Sequence, residues 1–254
     1  MLMVISPAKS LDFTPVGDAP ATLPQFPRET AGLARLARKL KKADLRRLMG
    51  ISEKLAELNV QRFKAFDAKA DTGLQAAFAF DGDVYDGLQA RTLDAEGLAY
   101  AQDHLRILSG LYGLLRPLDR IQPYRLEMGI RLANPKGSSL YDFWDGKITK
   151  ALKAAAKGQA DRTIVSLASQ EYFGAVNRKA LKPPAVTCRF LEEKDGEARL
   201  ISFFAKRARG AMARFAIDGR VERAEDLKGF DRDGYRFRPD LSKDHDWVFV
   251  RRQP

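Results

Sequence analysis

Three glycines, two prolines and three arginines fall within the twenty residues GLYGLLRPLDRIQPYRLEMG, residues 110–129. A helix that ends in Gly110-Leu111-Tyr112-Gly113 and leads into a second helix would point free backbone N–H groups outward, a favourable place for an anion. Helix-hairpin-helix modules hold the DNA backbone in this way. Here two residues separate the glycines, and Pro117 and Pro123 leave room only for a very short second helix. Arg116, Arg120 and Arg125 strengthen the expectation, because guanidinium groups beside a backbone anion site suit phosphate or carboxylate bidentately. The plainer alternative is surface pairing with Asp119 and Glu127.

Further ionisable candidates lie at the ends of expected elements. Lys9 follows a short N-terminal strand, and Glu127 closes the arginine-rich stretch. Glu171 and Tyr172 in SLASQEYFGAV come just after a strand, where mixed α/β proteins place ligand groups. In AKRARGAMARFAI, Ala205, Ala208, Met212 and Phe215 share one helical face, and Arg209 lies at its edge. An arginine half-buried there needs an anionic partner, either a protein carboxylate or a bound phosphate. Lys206 is a cation of the same kind. Tyr141 and Trp144 in LYDFWDGKIT fit core or lid positions better than stacking platforms.

Several chemistries find no support. The two histidines, His104 and His245, have no second histidine at metal-ligand spacing. Asp81, Asp83 and Asp86 do not match a calcium-loop spacing, so no metal site is expected. There is no G-x-S-x-G elbow, no phosphate-binding G-x-x-x-x-G-K-[ST] loop and no G-x-G-x-x-G after a strand. No cofactor is therefore expected. The single cysteine, Cys188, allows no intramolecular disulfide. The apolar run before Ser6-Pro7 is too short for a signal segment, and no later run reaches a membrane span. The expectation is a cytoplasmic protein without a membrane partner.

The elements that must position these groups are partly legible. Leu2 to Ile5 reads as a buried strand stopped by proline. Phe13 to Pro27 reads as irregular. Residues 28–47 read as a basic amphipathic helix pair, with Leu33, Leu36 and Leu40 at helical spacing. This segment holds eight basic and two acidic residues, including Lys39, Lys42 and Arg46, so +6 of the formal +11 is concentrated there. Ser52 caps a further helix. QAAFAF reads as a strand. Asp94 reads as the N-cap of a helix continuing through Leu98, Ala101, Leu105 and Leu108, with Gly110 just beyond its end. TIVSLAS reads as a strand, Asp195-Gly196 as a hairpin turn, and Gly234–Arg238 and Trp247–Val250 as two short strands. With 254 residues and 45% hydrophobic content, the expected fold is one mixed α/β (α+β) domain over residues 1–254. Its mixed sheet is covered by helices, with a helix-hairpin-helix-like element near residues 94–122.

Taken in order, ISPAKSLDF, FDGDVYDGL, LSGLYGLLRPLDRIQPYRLEMG, LYDFWDGKIT, LASQEYF and ISFFAKRARGAMARF closely resemble the YaaA family of peroxide stress resistance proteins across almost the whole chain. The resemblance implies a bacterial cytosolic protein of the hydrogen-peroxide response, associated with keeping iron low so that Fenton chemistry does less damage. It also implies a compact fold with a positively charged cleft and a helix-hairpin-helix, and binding to duplex or branched DNA. Two function classes follow. The first is a DNA-binding stress protein whose 28–47 helices and hairpin hold phosphates without reading bases. The second is an enzyme of undefined reaction whose cleft of Lys9, Arg125, Glu127, Glu171, Lys206 and Arg209 takes a nucleotide or another anionic small molecule.

Overall fold

The computed structural model of the chain describes residues 1–252. Its first strand, β1 (Leu2–Ile5), is apolar throughout and fully buried. A strand with no polar alternation needs cover on both faces, the situation of a central strand in a parallel sheet. A weak ladder of β2 (Ser10–Leu11) with β4 (Phe80–Asp81) follows, and β3 (Leu74–Gln75) pairs with β7 (Arg120–Ile121). Between them stand α1 (Pro27–Arg38), α2 (Lys42–Met49) and α3 (Glu53–Ala65). Pro27 suits the first turn of α1, where its missing N–H costs nothing. Gly50 ends α2 in the left-handed region at φ 59°, and the Ser52 hydroxyl caps α3 by accepting from Leu55 N at 3.3 Å.

The segment expected as a strand, residues 75–80, is instead mostly the helical turn α4 (Ala76–Ala79), all buried. Its apolar run is too short for periodicity to decide between the two states. Next come α5 (Asp83–Leu88) and α6 (Ala95–His104), the latter capped by Asp94 Oδ1 accepting from Gly97 N at 2.7 Å. The helix does not continue to Leu108. Leu105–Ser109 is strand β5, parallel to β1 with Met3 opposite Leu105. The chain then turns through residues 110–112 into β6 (Gly113–Leu115), antiparallel to β5. The expected helix-hairpin-helix is therefore a helix followed by a β-hairpin. Leu105, Ile107 and Leu108 are fully buried, and their apolar run satisfies a two-faced strand as well as a helical stripe.

After α7 (Leu140–Trp144) and α8 (Lys147–Ala156), β8 (Ile164–Ser166) pairs parallel to the other side of β1. Short α9 (Gln170–Phe173) leads on to β9 (Val186–Lys194), and the Asp195-Gly196 turn gives β10 (Glu197–Arg199), as expected for a hairpin. Asp195 and Gly196 both have positive φ, 53° and 79°. Helix α10 (Ser202–Asp218) packs on α5, and β11 (Arg236–Phe237) pairs with β12 (Asp246–Arg252), which runs parallel to β9. The main sheet has the order β11-β12-β9-β8-β1-β5-β6, with β10 on β9. The mixed α/β architecture is as expected, and one continuous core joins β1 to β12. Among the described residues no helix is long and apolar enough to cross a membrane.

Strand order fixes where a ligand site can form. From β1 the sheet grows outward through β5 and β6; the chain then returns to β8, on the opposite flank of β1, and grows outward through β9 and β12. The direction reverses between β1 and β8. A crevice opens at such a reversal beyond the carboxyl ends of the strands, and open α/β sheets bind ligands there.

Candidate functional site

Serines stand at or just past the ends of three neighbouring parallel strands, and their hydroxyls are bonded. Ser6 follows β1, Ser109 closes β5, and Ser169 lies just past β8. The backbone N–H of Ser169 donates to Ser6 Oγ at 2.9 Å, and the hydroxyl of Ser6 lies 3.4 Å from that of Ser169, which caps α9. Tyr85 on α5 donates its hydroxyl to Ser6 O at 3.2 Å. Ser109 and Tyr124 share a hydroxyl bond of 2.6 Å, which ties segment 124–129 to the end of β5.

That segment carries the charges. Arg125 Nε donates to Glu127 Oε1 at 2.9 Å, and Lys9 Nζ stands 3.9 Å from the same oxygen. Glu127 is 8% exposed. Its Oε2 is buried and has no hydrogen-bond partner. Two residues on, the N–H of Gly129 donates to Glu171 Oε1 at 3.0 Å, and Tyr141 donates to the Glu171 carbonyl at 2.8 Å. A Cβ at Gly129 would come within 3.2 Å of the Glu171 side chain, so the pairing suits glycine there. Burial pushes the hydroxyls of Tyr85, Tyr124 and Tyr172 well above the ordinary tyrosine range, which keeps all three protonated. Arg62 on α3 is half-buried, and burial together with the nearby Arg125 lowers its pKa.

The structure thus brings together Lys9, Arg125, Glu127 and Glu171 from the sequence-derived set. Lys206 pairs with Asp83 on α5 at 3.4 Å. Arg209 lies near Cys188 of β9. Its Nε is buried and unbonded, and burial lowers its pKa. Of the two anionic partners open to Arg209, no carboxylate among the described residues forms an ion pair with it. Burial also drives the Cys188 thiol far above its ordinary value.

The two glycines expected to form a phosphate grip at 110–113 lie in the interior. Gly110 and Gly113 are buried, and each serves close packing rather than access. A Cβ on Gly110 would meet Leu126 O at 2.1 Å, and one on Gly113, at φ 73°, would meet the Trp144 ring at 2.6 Å. Trp144, a core residue, donates to Gly110 O at 2.9 Å. Arg116 is engaged by the fully buried Asp119, with Nη2 at 2.9 Å, and Arg120 by Asp71 at 3.0 Å. Both arginines make the plainer pairing with carboxylates. Lys39, just after α1, and Arg46, on α2, are exposed, and Lys42 bonds Glu53 at 2.7 Å.

Sequence reasoning missed Arg62, Ser6, Ser109, Tyr124 and Ser169 as parts of this site. Ser6, Ser109 and Ser169 are joined only by their placement at or just past strand ends, Tyr124 by its bond to Ser109 and Arg62 by its approach to Arg125, and the strand end at β5 was hidden by the helical reading.

A family model described as peroxide stress protein YaaA matches residues 1–241. A UPF0246 protein of Phenylobacterium zucineum is 65% identical over all of this chain and 96% of its own length. One from Caulobacter vibrioides is 63% identical with both chains fully covered, and one from Dinoroseobacter shibae is 57% identical over all of this chain and 96% of its own.

Proposed function

The chain belongs to the family of the peroxide stress protein YaaA, and from that footing we propose that it binds DNA, duplex or branched, through the exposed face of α1 and α2. Contacts there go to phosphates and carry no sequence information. The observation that supports this reading is the disposition of charge. Arg28, Arg35, Arg38, Lys39, Lys41, Arg46 and Arg47 are all exposed. Both acidic residues of the segment are already engaged, Glu29 by Lys147 and Asp44 by Arg47 and by the N–H of Lys41. A cationic surface of this kind releases counterions from the duplex. Ferrous ions condensed on those phosphates would leave with the rest, which links DNA binding to reduced iron-driven damage.

The test is fluorescence anisotropy of labelled duplex and four-way-junction DNA across a salt titration. Wild type is compared with Arg35→Gln/Lys39→Gln/Lys41→Gln/Arg46→Gln. Affinity should fall steeply with salt, and the variant should lose about one unit of log–log slope for each phosphate contact removed. Binding that holds steady from low to moderate salt, or a variant indistinguishable from wild type, would sink the reading.

A further inference from the structure

The start of α1, the loop 67–72 and the end of β7 enclose a cavity of about 140 Å³. Much of its lining is apolar, from Leu23, Pro24, Pro27, Phe66, Ala68 and Tyr112. Phe66 is 4% exposed and Tyr112 3%, so they form the floor, while Leu23, 57% exposed, marks the mouth. An apolar cavity of about 150 Å³ holds one benzene ring, and the room here is likewise for a single six-membered ring. The charges of the lining cancel, Asp67 and Asp71 against Lys69 and Arg120, and Asp71 is already paired with Arg120 at 3.0 Å. The group that enters is therefore neutral.

Two hydroxyls of the lining are incompletely used. Thr30 is 3% exposed, and its buried Oγ1 has no hydrogen-bond partner among the described residues. The Tyr112 hydroxyl accepts from Gln122 N at 2.9 Å, but its own O–H donates to no described residue. Burial raises the pKa of that phenol and keeps its proton in place. Buried polar groups left unmet are costly, so the pair favours a ring with polar atoms at its edge over a hydrocarbon of equal size. Thr30 Oγ1 asks for an N–H and Tyr112 for a carbonyl oxygen. The thymine and uracil rings carry those two groups side by side.

We propose that this cavity takes one unpaired pyrimidine, a thymine or uracil ring, from a strand held on α1 and α2. Pro27 and Thr30 belong to the first turn of α1, and Arg28 between them is exposed, so the cavity adjoins the cationic face. The inference rests on the reading of α1 and α2 as a phosphate-holding surface and adds to it a place where a base leaves the stack. The phosphates stay on the cations outside, and the neutral ring alone enters. A base that already lacks a partner pays least to swing out, so DNA with an unpaired thymine is preferred to a perfect duplex. A free pyrimidine nucleoside offers the same ring without the phosphates.

Fluorescence anisotropy of the whole chain tests it with four labelled duplexes of one sequence: fully paired, or bulged by a thymine, an adenine or an abasic site. Wild type should hold the thymine bulge several-fold more tightly than the abasic bulge. The adenine bulge, whose fused rings exceed the space, should do no better than the abasic one. Thr30→Val removes the unmet hydroxyl and should cut the thymine preference. Ala70→Phe fills the cavity from its partly exposed lining and should abolish it. Neither residue is one of the cations, so both variants should bind the fully paired duplex as wild type does. Unlabelled thymidine is the second arm and should compete only in the millimolar range; displacement at micromolar thymidine would assign the cavity to a free nucleoside and overturn the proposal. Thermal unfolding reports whether each variant folds, and Thr30→Val, which relieves an unmet buried group, keeps the test decisive if Ala70→Phe does not. Equal affinity for the thymine and abasic bulges, or a thymine preference that survives in the folded variants, overturns the proposal and leaves the phosphate surface standing. Wild type that binds none of the four duplexes overturns both.

Discussion

Asp161 joins two distant parts of the chain with one carboxylate. Its Oδ1 accepts from Thr163 N at 2.8 Å, at the entry to β8, and its Oδ2 accepts from Ala224 N at 2.7 Å, after α10. Burial alone would push its pKa up, but the bonds from Ala224 and Thr163 outweigh burial and hold it below the ordinary carboxylate value. A carboxylate depressed in the folded state adds stability that is complete above its unfolded pKa, about 3.9, and is lost as pH falls through the lower folded value. Asp161→Asn should therefore cost about 1–2 kcal/mol at neutral pH. That cost should shrink as the wild-type carboxyl takes up its proton below about pH 4. Urea unfolding of both proteins at a series of pH values measures the convergence; a constant difference would mean that packing rather than ionisation is at work. Glu192 is the buried counterpart, 2% exposed, accepting from the Tyr235 hydroxyl and from Arg251 Nε at 2.7 Å. There a full ion pair and a phenol satisfy the acceptor that Glu127 leaves open.

Helix α10 meets α5 at the level of backbone on backbone. A Cβ added at Gly210 would lie 1.8 Å from Val84 O, and one at Gly87 would lie 2.1 Å from Arg207 O. Neither contact can yield without moving a helix, and α5 carries the Tyr85 hydroxyl that bonds Ser6. Gly210→Ala should cost more than about 2 kcal/mol. Gly32→Ala, in α1 with open space around it, should be neutral or stabilise by up to about 1 kcal/mol through helix propensity. Chemical denaturation of the pair gives the contrast, and equal effects would refute the close-approach account. Much at this scale was legible in sequence. Ser52 and Asp94 mark their helix starts because capping is a local interaction, and Asp195-Gly196 marks its hairpin because few residues accept positive φ. The strand at 105–109 was not legible. Ala101, Leu105 and Leu108 keep helical spacing, and a strand covered on both faces shows no alternation to contradict it. That misreading carried the helix-hairpin-helix with it. Lys9, Glu127 and Glu171 were found because each follows a turn signal or a strand. Arg62 was not, since one arginine on a helix of mixed charge such as α3 carries no local mark, and only the tertiary approach of Arg125 distinguishes it.

At the scale of the whole molecule, charge and sulfur are distributed in opposite ways. Of the excess positive charge, +11 overall, +6 falls within residues 28–47, most of it on exposed side chains, where it acts at a distance. Sulfur is withdrawn from the solvent. Met1, Met3, Met128 and Met212 are 0% exposed, and Cys188 is 2% exposed with a thiol that burial keeps protonated. Peroxide oxidises thiolates, and it attacks methionine where solvent reaches it. Folded protein exposed to hydrogen peroxide should therefore keep its thiol, and peptide mass mapping should show oxygen gained first at Met49, the partly exposed methionine at the end of α2. In denaturant the thiol should become reactive at once; a thiol consumed in the folded state would contradict this. The fold thus puts the cysteine and four of the five methionines out of reach of the oxidant its family is named for, which leaves a rise in peroxide no thiol at the surface of this chain to act on.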